Sequence, residues 1–179
     1  MINEPSYLRI FITKLLFLFY RKSVYKEFAN HLPIEGNEQV LDFGCGMGSV
    51  AYYVAKKLPY GHLTCLDISK RWLKVCRKTM NKSKNVTFIN SSINLSSNCF
   101  DIIYCHFALH KVANLEMIIL LLIRTLKKDG LLILKEPIKD IDKLNNINML
   151  VKKYNLTLKK SRITDSPLIG SSIESIYIK

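Results

Sequence analysis

"VLDFGCGMGS", residues 40–49, carries an apolar, strand-like run past one carboxylate, Asp42, into three glycines in five positions, Gly44, Gly46 and Gly48. Glycine reaches positive φ without steric cost and lets backbone approach a ligand that any Cβ would strike. A strand that turns into a helix through such a segment presents main chain outside its carboxyl end, where open α/β sheets hold their ligands. The spacing is G-x-G-x-G, so it departs from the G-x-G-x-x-G dinucleotide fingerprint, and no Gly-Lys-Ser/Thr closes it as a phosphate loop. Asp42, two residues before the first glycine, suits a cationic ligand better than a phosphate.

Outward from this turn, strands and helices alternate. "EQVLDFG", "HLTCLDI", "NVTFI", "FDIIYC" and "LLILKEP" read as buried strands, separated by helices over "SVAYYVAKKLP", "KRWLKVCRKTM" and "NLEMIILLLIRTLKKDG". In the second of these helices Leu73, Cys76 and Met80 share one face. In the third, Asn114 is expected to cap the start and Gly130 to occupy the position just past the end. Near-continuous apolar strands between helices predict a mostly parallel sheet covered on both faces. The tail breaks the rhythm, because "LTLKKSRI" and "ESIYIK" read as a hairpin. The expected fold is α/β: a doubly wound, Rossmann-like, seven-stranded sheet, mostly parallel, with a C-terminal antiparallel hairpin. One domain spans 1–179, made of an N-terminal helical extension or lid over 1–33, a core over 36–137, and a helix plus strand hairpin over 138–179.

Composition narrows the setting. Hydrophobic residues make up 49% of the 179, which suits a folded chain and excludes disorder. Five cysteines, Cys45, Cys65, Cys76, Cys99 and Cys105, form an odd set with no CxxC pair and sit mostly in apolar runs. They are expected to be reduced, in a cytoplasmic protein, with neither disulfides nor a bound metal such as zinc. The net charge of +13 attracts anions, yet the chain is rich in Lys, Asn and Ile together, a bias that genomic base composition also produces. "YLRIFITKLLFLFY", residues 7–20, is too short and too interrupted by Arg9 and Lys14 to span a membrane.

Four blocks, in order, resemble the class I S-adenosylmethionine (SAM) dependent methyltransferases, in particular the small-molecule branch typified by ubiquinone- and menaquinone-biosynthesis-like enzymes. "VLDFGCGMGS" is similar to motif I of that family, "LTCLDIS" to the acidic end of its second strand, "FDIIYCHFALHKV" to motif IV, and "LKKDGLLILKEP" to the block delivering strand five. The resemblance implies SAM as cofactor. It places Asp42 near the ammonium of the methionine part, the backbone of Gly44, Cys45, Gly46 and Gly48 along the floor, and Asp67 on the ribose hydroxyls. It also puts Ile68 against the adenine, Cys105 beside the methionine part through main chain, and Ser92 and Ile93 where many relatives carry an adenine-binding acid.

Methyl transfer from a sulfonium is an in-line displacement in which the protein gains most by positioning donor and acceptor. A base helps where the acceptor must lose a proton. His106 and His110, just past the fourth strand, are the candidate catalytic residues. No HExxH pattern accompanies them.

The acceptor is expected to be a small, apolar molecule methylated at O, N or C. No DPPY-type tetrapeptide and no Pro-Cys nucleophile marks a base methyltransferase, and nucleic acid is not the favoured partner, although seven basic residues and no acid lie between Ile68 and Lys84. Tyr7, Phe11, Leu15, Leu18 and Phe19 are expected to cover the acceptor as a buried lid, ahead of roles in homo-oligomer contact or at a membrane surface. Two rival readings remain: an RNA methyltransferase, and a module that binds SAM without turning it over.

Overall fold

β1 (Gln39–Phe43), β2 (His62–Leu66) and β3 (Val86–Ile89) run parallel, with Asp42 opposite Cys65 and Leu66 opposite Ile89. β4 (Phe100–His106) and β5 (Leu126–Pro137) are parallel as well, while β7 (Gly170–Ile178) runs antiparallel to β5 and to β6 (Thr157–Ser166). The sheet has seven strands in the order β3-β2-β1-β4-β5-β7-β6, the Rossmann-like arrangement expected from the alternating pattern. These observations come from a computed structural model that describes residues 4–91, 95–166 and 170–179. The chain divides into two compact units, Met1–Asn94 and Leu95–Lys179.

In the first unit, helix α1 (Tyr7–Tyr20) passes through a π-helical turn, Arg21–Lys26, into α2 (Glu27–His31). The lysine of Lys57 closes the end of α2 by donating to the carbonyls of Ala29 and Leu32 at 3.0 and 2.8 Å. α3 (Ala51–Val54) follows the glycine turn and tightens into a 3₁₀ turn at Ala55–Lys57. α4 (Lys70–Thr79) has the face read from its sequence, with Leu73, Cys76 and Met80 buried.

The start of α4 is capped twice. Ser69 Oγ accepts from Trp72 N at 3.0 Å, and Glu4 accepts from Ser69 Oγ, Lys70 N and Arg71 N. A carboxylate at a helix start satisfies orphan N–H groups and meets the positive end of the dipole. This contact anchors the N-terminal extension and, through Ser69, holds the Glu4 carboxyl below its ordinary pKa.

The lid expectation is corrected by α1. Tyr7, Phe11, Leu15, Leu18 and Phe19 are exposed, Tyr7 by 79% and Leu15, the least, by 43%. Only Ile10 is buried, packed with Met47 and Val75 beside the half-buried Phe17 and Trp72. A helix apolar all round cannot bury every face on one surface. The groove at Met47 and Val75 takes the Ile10–Phe17 stripe and leaves the opposite side bare.

In the second unit, Asn114 Oδ1 accepts from Met117 N at 3.2 Å, capping α5 (Leu115–Thr125), and Leu115, Ile119 and Leu122 point inward. The expected helix end at Gly130 is corrected. The helix stops at Thr125, whose hydroxyl donates back to Leu122 O, and Leu126 is already strand and fully buried. Asp129, not Gly130, adopts the left-handed conformation at φ 62°. At Gly130 a Cβ would lie 2.9 Å from Lys127 O and from Leu126 Cγ, so close approach is what requires glycine there. α6 (Ile141–Lys153) buries Leu144, Ile147, Leu150 and Val151, and Tyr177 OH donates to Asn148 Oδ1 at 2.6 Å.

Candidate active site

In the first unit, Gly44, Gly46 and Gly48 all have positive φ, at 76°, 53° and 81°. Each position is strained for an L residue with a side chain. Gly44 N and Cys45 N both donate to Leu66 O, at 2.8 and 3.0 Å, tying the turn to the end of β2. Gly46 N donates to Asp67 Oδ2 at 2.8 Å, and Ser69 N donates to Asp67 Oδ1 at 2.9 Å. The Asp67 carboxylate therefore clamps the glycine turn to the start of α4, and each oxygen keeps accepting capacity beyond that one bond. Burial raises the Asp67 pKa, against the two backbone hydrogen bonds that lower it.

The glycines differ in what surrounds them. A Cβ on Gly46 would meet no atom of the described residues within 4 Å, whereas a Cβ on Gly48 would fall 2.7 Å from Cys76 Sγ. Gly46 faces open space, and Gly48 serves packing between turn and α4. Ile68, the next residue after Asp67, exposes 59% of its surface although it is aliphatic. Asp42 is buried within β1, at 2% exposure. Gly44, Cys45 and Gly46 are thus tied by hydrogen bonds to Leu66 and Asp67, and Ile68 follows directly in the chain. Ser92 and Ile93 lie outside the described residues.

The second unit carries the two histidines. Cys105 is fully buried in β4. His106 ends that strand, with its ring set edge-on to Phe107 at a centroid distance of 4.4 Å. Burial, reinforced by Lys135 and Lys111, pulls the His106 pKa down to about 3, so the ring is neutral near pH 7. Phe107 has φ 56°, an outlier for a bulky residue, with its N–H bonded to Lys135 O and its carbonyl to Lys111 Nζ, both at 2.8 Å.

The following turn folds around Glu136. This carboxylate is 2% exposed and accepts from Ala108 N, Leu109 N and His110 N at 3.1, 2.8 and 3.4 Å. It also lies 2.5 Å from His110 Nδ1. With Glu136 ionised, Nδ1 carries the hydrogen and Nε2 of a neutral ring is left as the basic nitrogen. Sequence reasoning missed Glu136. Its signal was an acid placed inside the apolar strand "LLILKEP".

Three cysteines read separately in the sequence meet in the first unit: the sulfurs of Cys45, Cys65 and Cys76 lie within 4.8 Å of one another.

A family model described as a methyltransferase domain matches residues 34–168, about three quarters of the chain. The chain belongs to this methyltransferase family. It is a SAM-dependent methyltransferase domain, and SAM is the cofactor that the family implies. A stretch of 56 residues is 41% identical to the ribosomal RNA small subunit methyltransferase C of Shewanella denitrificans, covering 31% of this chain and 16% of that protein. A longer stretch of 121 residues is 26% identical to the demethylmenaquinone methyltransferase of Leptospira interrogans serogroup Icterohaemorrhagiae serovar copenhageni, covering 60% of this chain and 49% of that protein. The chain thus spans at most about half the length of these curated relatives. Among solved structures, a SAM dependent methyltransferase from Aquifex aeolicus superposes with a TM-score of 0.75 at 17% identity, covering 89% of this chain and 92% of that one. That likeness speaks for the fold. Among the described residues nothing lies within 4 Å of a Cβ on Gly46, and the buried Asp67 carboxylate, with acceptor capacity to spare, adjoins it, an arrangement compatible with a cofactor carrying hydroxyl donors. Among the described residues, no helix is long and apolar enough to cross a membrane.

Proposed function

We propose that this chain methylates a small, apolar acceptor by in-line displacement. Bound SAM supplies an electrophilic methyl group on a sulfonium. Gly44, Cys45 and Gly46 line the floor beneath it, Asp67 accepts from the ribose hydroxyls, Ile68 presses on the adenine, and Asp42 balances the ammonium. Gly48 acts one step back by seating the turn on α4. Cys105, and the undescribed Ser92 and Ile93, complete the set that the resemblance implies.

The single observation carrying the cofactor assignment is the open space over Gly46 beside the clamped Asp67. For the acceptor's proton, His110 is favoured over His106. Glu136 fixes its tautomer and ring plane, which leaves Nε2 as a base, whereas His106 is held neutral by burial and by two lysines. A base positioned in this way contributes ~10²- to 10⁴-fold when the acceptor must be deprotonated. Support for an apolar acceptor comes from the menaquinone-related relative.

The test is release of S-adenosylhomocysteine from SAM in the presence of fractionated lipid-soluble and water-soluble metabolites. Turnover confined to the lipid-soluble fraction supports the proposal. Turnover with RNA, weakening steeply as salt rises, supports instead the reading favoured by the ribosomal RNA relative and the net charge. SAM binding without release under any condition identifies a non-catalytic module.

A further inference from the structure

We infer that Cys45, Cys65 and Cys76 form a buried site for a soft divalent cation of the zinc–cadmium type, set beneath the glycine turn. The three sulfurs come from three elements: the turn itself, the middle of β2 and the inner face of α4. Their mutual separations of at most 4.8 Å compare with the about 3.8–4.0 Å between thiolates that share a cation at metal–sulfur distances of about 2.3 Å. Closing the set onto an ion therefore takes shifts of an ångström or less.

The surroundings are built for these sulfurs. Gly48 is the residue that leaves room at Cys76, since a Cβ there would lie 2.7 Å from its Sγ. All three residues are buried, Cys65 and Cys76 completely, with Cys45 on the turn at 7% exposure as the side from which an ion enters. Thiols merely filling a core have no need to converge. Soft thiolates select thiophilic cations over hard ones, which excludes magnesium and calcium here.

A divalent cation binds all three sulfurs as thiolates, and each proton a thiol gives up leaves to solvent. The loaded cluster, one dication with three thiolates, has a net charge of −1.

The experiment loads the full chain, reduced and free of oxygen, with Cd²⁺, removes loosely held ion with a weak chelator, and measures bound metal and released protons. The expected result is one Cd²⁺ per chain, proton release on loading, an ultraviolet sulfur-to-metal charge-transfer band, and three sulfurs in the X-ray absorption shell. Zn²⁺ should displace or compete for the same single equivalent. Cys76→Ser and Cys45→Ser should each lose the stoichiometric uptake, while Cys99→Ser keeps it. No uptake by wild-type protein whose five thiols titrate as reduced overturns the site, and so does a bound ion with an oxygen or nitrogen shell. These readouts use no SAM, so they stand or fall apart from the proposed methyl transfer.

Discussion

The backbone N–H of Gly46 donates to Asp67 Oδ2 at 2.8 Å, so the carboxylate proposed for the ribose is also the clasp of the glycine turn. Asp67→Ala removes both roles. Hydrogen bonds to a charged group are worth about 1.5–3 kcal/mol, which sets the expected loss of SAM affinity at roughly 10- to 150-fold, measured by calorimetry. Asp67→Asn keeps one acceptor oxygen and should lose less. Affinity equal to wild type in both variants rules out the ribose assignment.

Gly46 and Gly48 are two residues apart and should fail differently. Gly46→Val meets open space in the protein, so its larger consequence is collision with the cofactor: SAM binding is lost while the chain still folds, at the cost of a strained φ of 53°. Gly48→Ala drives a methyl into Cys76 Sγ at a φ of 81°, and crowding of this kind typically costs about 1–3 kcal/mol of stability. Urea melts and calorimetry on both variants separate the two. Equal destabilisation with equal SAM affinity would show that the glycines share one packing role.

The glycine turn and the apolar strands were readable because the signal is local: a few adjacent residues carry both the conformation and its reason. Glu136 was not readable, because its partners Ala108, Leu109 and His110 stand 26 to 28 residues earlier and meet it only when β4 and β5 pair. The thiol cluster has the same cause, three cysteines brought together by a turn, a strand and a helix. α1 misled for a different reason. Hydrophobicity all round the helix has no phase, so nothing in "YLRIFITKLLFLFY" says that Ile10 turns inward and Phe11 outward.

His110 and Glu136 form the pair that the proposed chemistry leans on. Glu136→Gln substitutes a donor for an acceptor beside three backbone N–H groups and the ring, so the turn should loosen and the imidazole lose its orientation. His110→Gln removes the base alone. Both should lower turnover by about 10²- to 10⁴-fold while SAM affinity stays within a few-fold of wild type. The discriminating measurement is the pH profile: loss of the limb that reports the base in His110→Gln supports the assignment, and an unchanged profile refutes it.

The half-buried His106 makes a statement about acid stability. Its folded pKa of about 3 lies below the ordinary 6.5, so between those values the unfolded chain binds a proton that the folded chain does not. Stability therefore falls as pH drops through that window, and the contribution vanishes above about 6.5, where the ring is neutral in both states. Glu4, with its lowered pKa, adds a further loss below about 4.5, and Asp67, with its raised pKa, opposes both as acid is added. Those two groups are common to the wild type and to His106→Gln, so they cancel in the difference between the proteins. The variant should show a flatter decline in urea midpoint from pH 6.5 to 4.5 than the wild type does. Parallel declines would mean that His106 takes up its proton in the folded state and is not held neutral by Lys135 and Lys111.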